Sequence, residues 1–340
     1  MIRDRMSHRA RAVALWASCV VMATSITGCG VGDAVLGIHQ APKARADSAP
    51  LTVDQAKRIL TRSFTAAYVA ETTTGAVART ALRTAYTGEG LRGVSGRVRL
   101  ASVQPTAASS LLLVPHPKLL AVSRGFGFPR FILAQTVAYE GGIPILHLLT
   151  SPDAATPYRI SSSVEMVPPA QVKPFDPLSK GSPLVTRGTG LAVAPAKLLS
   201  LYAAQMAFPA KAVPKPPFAA DSFSDQIRIA AAGAAKAVAT QAVFTQTHKV
   251  LPGSVYAVRQ VSGDALVFGV IERTDSFAVK KGQSINTGAN KAFVLLAGKK
   301  KVAKAASLAT LEFVVFAVPR SKGPATLVAA REQIVAGAGS

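Results

Sequence analysis

Apolar positions recur along this chain in two textures, helical and strand-like, and the pair occurs twice in the same order. After Leu51, the residues Ala56, Ile59, Leu60, Phe64 and Ala67 return at the spacing of one helix face. Thr52 followed by Gln55 places a capping-box pattern at the start of that helix. A second helix is predicted over 76–92, ended by Gly90 or Gly93. From Arg97 the pattern shortens to β runs at 97–103, 110–114, 130–139, 143–149 and 158–167, with Gly141-Gly142 as a turn.

Pro168, Pro169, Pro174, Pro177 and Pro183 then interrupt the pattern, and 169–188 reads as a semi-rigid linker. Beyond it the order restarts. Leu191, Val193, Ala196, Lys197 and Ala207 repeat Leu51, Val53, Ala56, Lys57 and Ala67, with Pro195 suited to a first helical turn. An Ala-rich helix follows at 221–240, with Asp225 as its expected cap. Strands are predicted at 242–250, 254–262, 265–273, 291–297 and 309–318, with a hairpin turn at Ser262-Gly263-Asp264 and a segment of undecided type at 325–336. The reading is an α+β chain of two similar domains, 50–168 and 189–337, related by duplication. Helices followed by an antiparallel meander resemble the cystatin-like and nuclear-transport-factor-2-like folds, a likeness of element order alone that implies no activity.

The first 49 residues follow neither texture. Arg3, Arg5, Arg9 and Arg11 precede an apolar stretch from Ala12 to Ala23, shorter than the roughly 20 residues of a spanning helix and fitting a signal peptide. Ile26-Thr27-Gly28-Cys29 then resembles the bacterial lipobox. That resemblance implies removal of residues 1–28, a diacylglycerol on the Cys29 sulfur and a tether over 29–49, anchoring the chain on the extracytoplasmic face of the membrane. Two acyl chains suffice for stable anchoring. The whole layout is similar to that of uncharacterised actinobacterial lipoproteins, a likeness that implies a cell-surface location and no activity.

Composition sharpens this picture. Of 39 basic and 17 acidic residues, four arginines and Asp4 lie in 1–28, which leaves 35 and 16 and a net charge of +19. Such a surface attracts anionic headgroups and acidic envelope polymers. Nucleic acid is not expected as a partner, because the few aromatics do not interleave with the basic residues. Cys19 and Cys29 are the only cysteines, so the exported part has no disulfide and depends on burial. Asparagine occurs only at Asn286 and Asn290 in a chain rich in Ala and Val, the composition of a high-GC genome.

Motifs for chemistry are missing. His39, His116, His147 and His248 are too far apart in sequence for a metal-ligand motif, and neither metal nor cofactor is expected. Gly93-Val94-Ser95-Gly96 is one residue short of a nucleophile elbow, because Arg97 stands where glycine belongs, and no SxxK occurs. Gly125-Phe126-Gly127 and Gly188-Thr189-Gly190 read as turns. Glu140, Glu165, Glu272 and Glu312, with Tyr139 or Tyr256, are the candidates for acid–base work in a cavity, and outward-facing strand positions otherwise. Lys299, Lys300, Lys301 and Lys304 form the densest charge run, a candidate contact with an anionic surface. Phe126, Phe128 and Phe131 form an aromatic cluster, either core or the lip of a pocket. The expectation is a non-catalytic binding or assembly lipoprotein whose partner is an envelope protein, an acidic polymer or a small apolar ligand. An enzyme with a carboxylate–tyrosine pocket and a polyanion binder are the alternatives.

Overall fold

The computed structural model describes residues 47–104, 117–137, 142–186, 188–210 and 213–340. The lipobox, Cys29, the tether up to residue 46, His39, the strand expected at 110–114, His116, Tyr139, Glu140 and Gly141 lie outside the described residues. Residues 45–340 form one compact unit.

Three helices come first: α1 Val53–Thr72, α2 Gly75–Ala85 and α3 Gly88–Leu100. The capping box at α1 forms as the sequence predicts, Thr52 Oγ1 accepting from the Gln55 N–H and Gln55 Oε1 from the Thr52 N–H. Strands β1 Lys118–Val122, β2 Arg130–Val137, β3 Pro144–Ser151 and β4 Arg159–Glu165 make an antiparallel meander in the order β1-β2-β3-β4. After the proline-rich segment come α4 Pro195–Gln205 and α5 Ser222–Val238, then β5 Ala242–Val250, β6 Tyr256–Arg259 and β7 Ala265–Val279. A small excursion carries β8 Ile285–Asn286, α6 Lys291–Ala297 and β9 Lys301–Val302, before β10 Ala305–Val318 and β11 Thr326–Gly339. The second sheet runs β11-β10-β7-β5, with β6 also paired to β7.

Strands β2 and β3 carry consecutive apolar residues, FILA and ILHLL, so neither face suits water and both need cover. One face, with Ile132, Ala134, Ile145 and Leu149, packs under Leu60, Phe64 and Ala67 of α1. The other, with Phe131, Leu133, Leu146 and Leu148, meets Phe268, Val270, Leu311, Phe313 and Val315 of the second sheet. Beyond that sheet, Val267, Ile271, Val314 and Phe316 pack against Leu198, Leu199 and Tyr202 of α4 and Ile227 of α5. The layers are therefore helix, sheet, sheet, helix.

Several sequence expectations change. The halves were expected as separate domains, yet their sheets share one core, because both meanders are apolar on two faces. The segment 169–188 is no free spacer. Ser182 bridges to Ser123 beside β1, and Leu184 to Val258 in β6, so it laces the two sheets together along one edge. The strand expected at 97–103 belongs to α3, and the helix expected over 76–92 is two, broken at Tyr86 and Thr87 where the Thr87 N–H donates to the Ile160 carbonyl. Gly90, Gly93 and Gly96 do not stop the helix. They recur every third residue on the face pressed against β4, β10 and β11, where added Cβ atoms would meet Ile160 O at 2.7 Å, the Phe313 ring at 3.1 Å and Ile334 O at 2.6 Å. The strand expected at 291–297 is α6, started by Asn290 Oδ1 accepting from the Phe293 N–H and closed by Gly298 in the left-handed region.

Smaller expectations resolve locally. The segment of undecided type is β11, paired with β10 along almost its whole length. Asp221, not Asp225, caps α5, accepting from the Ser224 N–H at 2.8 Å, while Asp225 pairs with Arg228 in the first turn. Gly263 turns β6 into β7 at φ +85°, as the hairpin reading requires. No helix among the described residues is long and apolar enough to cross a membrane.

Candidate functional site: the cleft beneath α5

Helix α5 is held to the molecule at its start. Asp221 caps it and also accepts a hydrogen bond from the Tyr202 hydroxyl at 3.0 Å. Ser224, Ile227 and Ala231 are its only buried residues. Beyond Phe223 and Gln226 its inner face is small, with Ala230 and Ala234, and those side chains do not fill the space above β5 and β7. The result is a cleft of about 490 Å³. That is the size range of a small-molecule site, roughly 300–1,000 Å³.

The floor of the cleft follows from the period of two along the strands. Phe244, Gln246 and His248 of β5 share a face and sit opposite Phe277, Asp275 and Arg273 of β7. Phe244 and Phe277 pack ring to ring with centroids 5.0 Å apart and give the cleft an apolar end. Gln246, Arg273, Asp275, Arg331 and Glu332 give it a polar end. Two acceptors there have no donor, Gln246 Oε1 and Asp275 Oδ1, on residues directly paired across the strands. Gln246 is only 3 % exposed, so the missing donor is not replaced by bulk water.

Behind the polar end lies a buried charge network. Glu312, fully buried in the central strand β10, accepts Arg273 Nη1 at 3.2 Å on one oxygen and faces His248 Nδ1 at 3.0 Å on the other. Arg273 Nη1 also reaches Glu332 at 2.8 Å, and its Nε reaches Asp275 at 3.3 Å. One guanidinium thus holds three carboxylates. Burial pushes the Asp275 carboxyl above its ordinary range, against the lowering pull of Arg273 and His248. The residues lining the cleft include no Ser, Thr, Cys, Lys, His or Tyr. Its ionisable lining groups are Arg273, Asp275, Arg331 and Glu332.

The carboxylates singled out from sequence do not converge. Glu312 is the centre of the network, not an outward-facing strand residue. Glu272 pairs with Arg92 of α3, and Glu165 lies 3.7 Å from Arg331 of β11. Tyr256 lines a separate cavity with Thr150 and Glu89; Arg92 links Glu89 to Glu272, and neither Glu272 nor Glu312 lines it. His147 is fully buried, with Nε2 2.8 Å from Thr136 Oγ1 and Nδ1 2.9 Å from Ser163 Oγ. Burial, aided by Arg331, pushes it down to about 3, so its ring is neutral. Among the described residues no group of three or more His, Cys, Asp or Glu is placed to hold a metal ion.

The aromatic cluster divides. Phe131 is core, whereas Phe126 and Phe128 are exposed and Phe128 stacks under the Arg130 guanidinium at 4.2 Å. Lys299, Lys300, Lys301 and Lys304 are all exposed, around the short strand β9 and after α6 rather than between two long strands. Gln246, Arg273, Asp275 and Glu332 were not singled out from sequence. One of them carried a signal, since Gln246 alternates with Phe244 and His248 on what must be an inward face. No family model matches the chain, and no curated protein or solved structure matches it at a significant level.

Proposed function

We propose that this chain is an exported, lipid-anchored binding protein that holds a small amphipathic molecule in the cleft beneath α5 and does no covalent chemistry on it. One observation carries the ligand class. Asp275 Oδ1 and Gln246 Oε1 are acceptors without donors at the polar end of an aromatic and alanine-lined cleft. A ligand bearing an amine or hydroxyl satisfies both while laying its apolar body on Phe244 and Phe277. Arg273 and Arg331 balance Asp275 and Glu332 among the charged lining groups, so a neutral hydroxyl donor suits that end as well as an amine.

A dansyl-alkylamine titrated into the protein is expected to give saturable emission enhancement. Ala234→Trp, which fills the cleft without touching its charges, weakens that binding by at least about tenfold, or 1.4 kcal/mol. Equal binding to both proteins rules the cleft out as the site.

The anchor rests on residues 1–29. Positive n-region, short apolar stretch and Ile26-Thr27-Gly28-Cys29 support lipid on Cys29 and residence on the extracytoplasmic face of the membrane. Intact mass is expected to show a chain beginning at diacylated Cys29; a bare thiol there, or a chain starting at Met1, contradicts the anchor. The exposed Lys299, Lys300, Lys301 and Lys304 support an additional contact with anionic headgroups or acidic envelope polymers, which added salt weakens. A duplicated origin for the two halves, each of the cystatin-like or nuclear-transport-factor-2-like layout, is supported by the shared order of helices before a four-strand meander. Failure of α1 with β1–β4 to superpose on α4 with β5, β7, β10 and β11 would remove it.

A further inference from the structure

The chain that follows Cys29 enters the described residues at Asp47, and it arrives beside the turn between β1 and β2. The Ser48 carbonyl accepts from the Gly125 N–H at 2.8 Å, and the Ala49 N–H donates to the Ser179 carbonyl at 3.1 Å. Two rings stand out from that turn, Phe126 at 42 % exposed and Phe128 at 39 %. Arg130 braces both. Its Nη2 donates to the Phe126 carbonyl at 2.8 Å, and its guanidinium lies 4.2 Å from the centre of the Phe128 ring and 6.0 Å from that of Phe126. The charges around the turn are engaged locally. Arg124 and Lys180 hold Asp176, while Asp153, in the neighbouring turn between β3 and β4, accepts from the N–H groups of Ala155 and Thr156. What this end offers a partner is apolar surface.

We propose that Phe126 and Phe128 dock on the lipid bilayer that holds Cys29, so that the β1–β2 turn is the membrane-facing end of the molecule. This placement rests on the lipid anchor proposed for Cys29, because a chain held there reaches the folded part at Ser48, against Gly125. Exposed apolar groups rimmed by polar ones mark membrane contacts, and their binding grows with the apolar area buried. Arg130 suits the same surface, since its stem can lie along the Phe128 ring while its charge stays at the headgroups. The turn also sets the orientation of the rest. Ser123 bridges to Ser182 and Leu184 to Val258, which pairs with Leu266, so the turn lies at the Ala265 end of β7. Lys299, Lys300, Lys301 and Lys304 follow the Val279 end, roughly 45 Å along that strand. They are thereby left to acidic envelope polymers rather than headgroups.

Trp16 lies within residues 1–28, so the mature chain has no tryptophan of its own. The full mature chain, carried by its Cys29 anchor in phosphatidylcholine vesicles, therefore reports its orientation through one introduced indole. Phe128→Trp is expected to emit at shorter wavelength than Leu295→Trp, which lies at an exposed position of α6 beside the lysine run. It is also expected to lose emission when the lipid is brominated, whereas Leu295→Trp keeps its emission. Added salt leaves both results unchanged, as an apolar contact requires. Adding Phe126→Ser to Phe128→Trp reduces the quenching with the far-UV spectrum unchanged. Flotation of the vesicles separates the docking from the anchor. Protein that does not float with them removes the anchor and the docking with it. Protein that floats while Phe128→Trp keeps its full emission in brominated lipid overturns the docking alone, as does quenching confined to Leu295→Trp.

Discussion

Replacing Arg273 with methionine is expected to lower the unfolding free energy by about 3–5 kcal/mol, the usual cost of removing one partner from a buried ion network. The guanidinium contacts Glu312, Glu332 and Asp275, and without it those carboxylates face one another with only His248 to offset them. Native domains are stable by about 5–15 kcal/mol, so a large part of the total is at stake. The loss has a pH signature. Burial already raises the Asp275 carboxyl above its unfolded value, and deleting Arg273 raises it further. A carboxyl raised in the folded state favours folding below its unfolded pKa and loses that contribution as pH rises through the folded value. The deficit is therefore expected to be large at pH 7 and to shrink toward pH 4. Urea titrations at both pH values measure it, and a deficit independent of pH would show that the three carboxylates are not what Arg273 restrains.

The second large effect concerns α3. Gly96→Ala puts a methyl 2.6 Å from the Ile334 carbonyl oxygen, and Gly90→Ala puts one 2.7 Å from that of Ile160. Both obstacles are backbone and cannot rotate away. Overpacking of this kind costs about 1–3 kcal/mol, and alanine returns at most about 1 kcal/mol of helix propensity. Each variant is expected to be destabilised by about 1–2 kcal/mol, and the pair by more, since both lift the same helix. Gly233→Ala in α5 is the control. Nothing lies within 4 Å of its added methyl, so that variant is expected to gain about 0.5–1 kcal/mol. Thermal melts of the three proteins decide the matter; a gain in all three would mean that α3 does not rest on these glycines.

These two features also mark where the sequence could be read and where it could not. Period carried α1, α4, α5 and most strands, because Leu60, Phe64 and Ala67 or Phe244 and Gln246 repeat at the spacing of a single face. It failed at α3, where glycine every third residue reads as a breaker until the neighbouring β4 and β11 are known. It failed again at α6, where FVLL looks like a strand and the cap at Asn290 settles the matter. The division into two domains followed from the prolines between 168 and 183, yet a proline-rich segment is equally able to lace sheets together once partners such as Ser123 and Val258 lie beside it. The site was legible only in fragments. A glutamate inside LEFVVF signals a buried charge, but its partner Arg273 is 39 residues distant and Glu332 is 59 residues from Arg273. Pairings of that range come from strand order, which hydrophobic spacing does not encode.

Native mass spectrometry of the full chain extracted from membranes in mild detergent tests the ligand cleft most directly. The wild-type protein is expected to carry a non-covalent companion of small mass that is absent from Ala234→Trp prepared in the same way. Identical spectra from the two proteins, with or without a companion, would contradict a ligand held beneath α5.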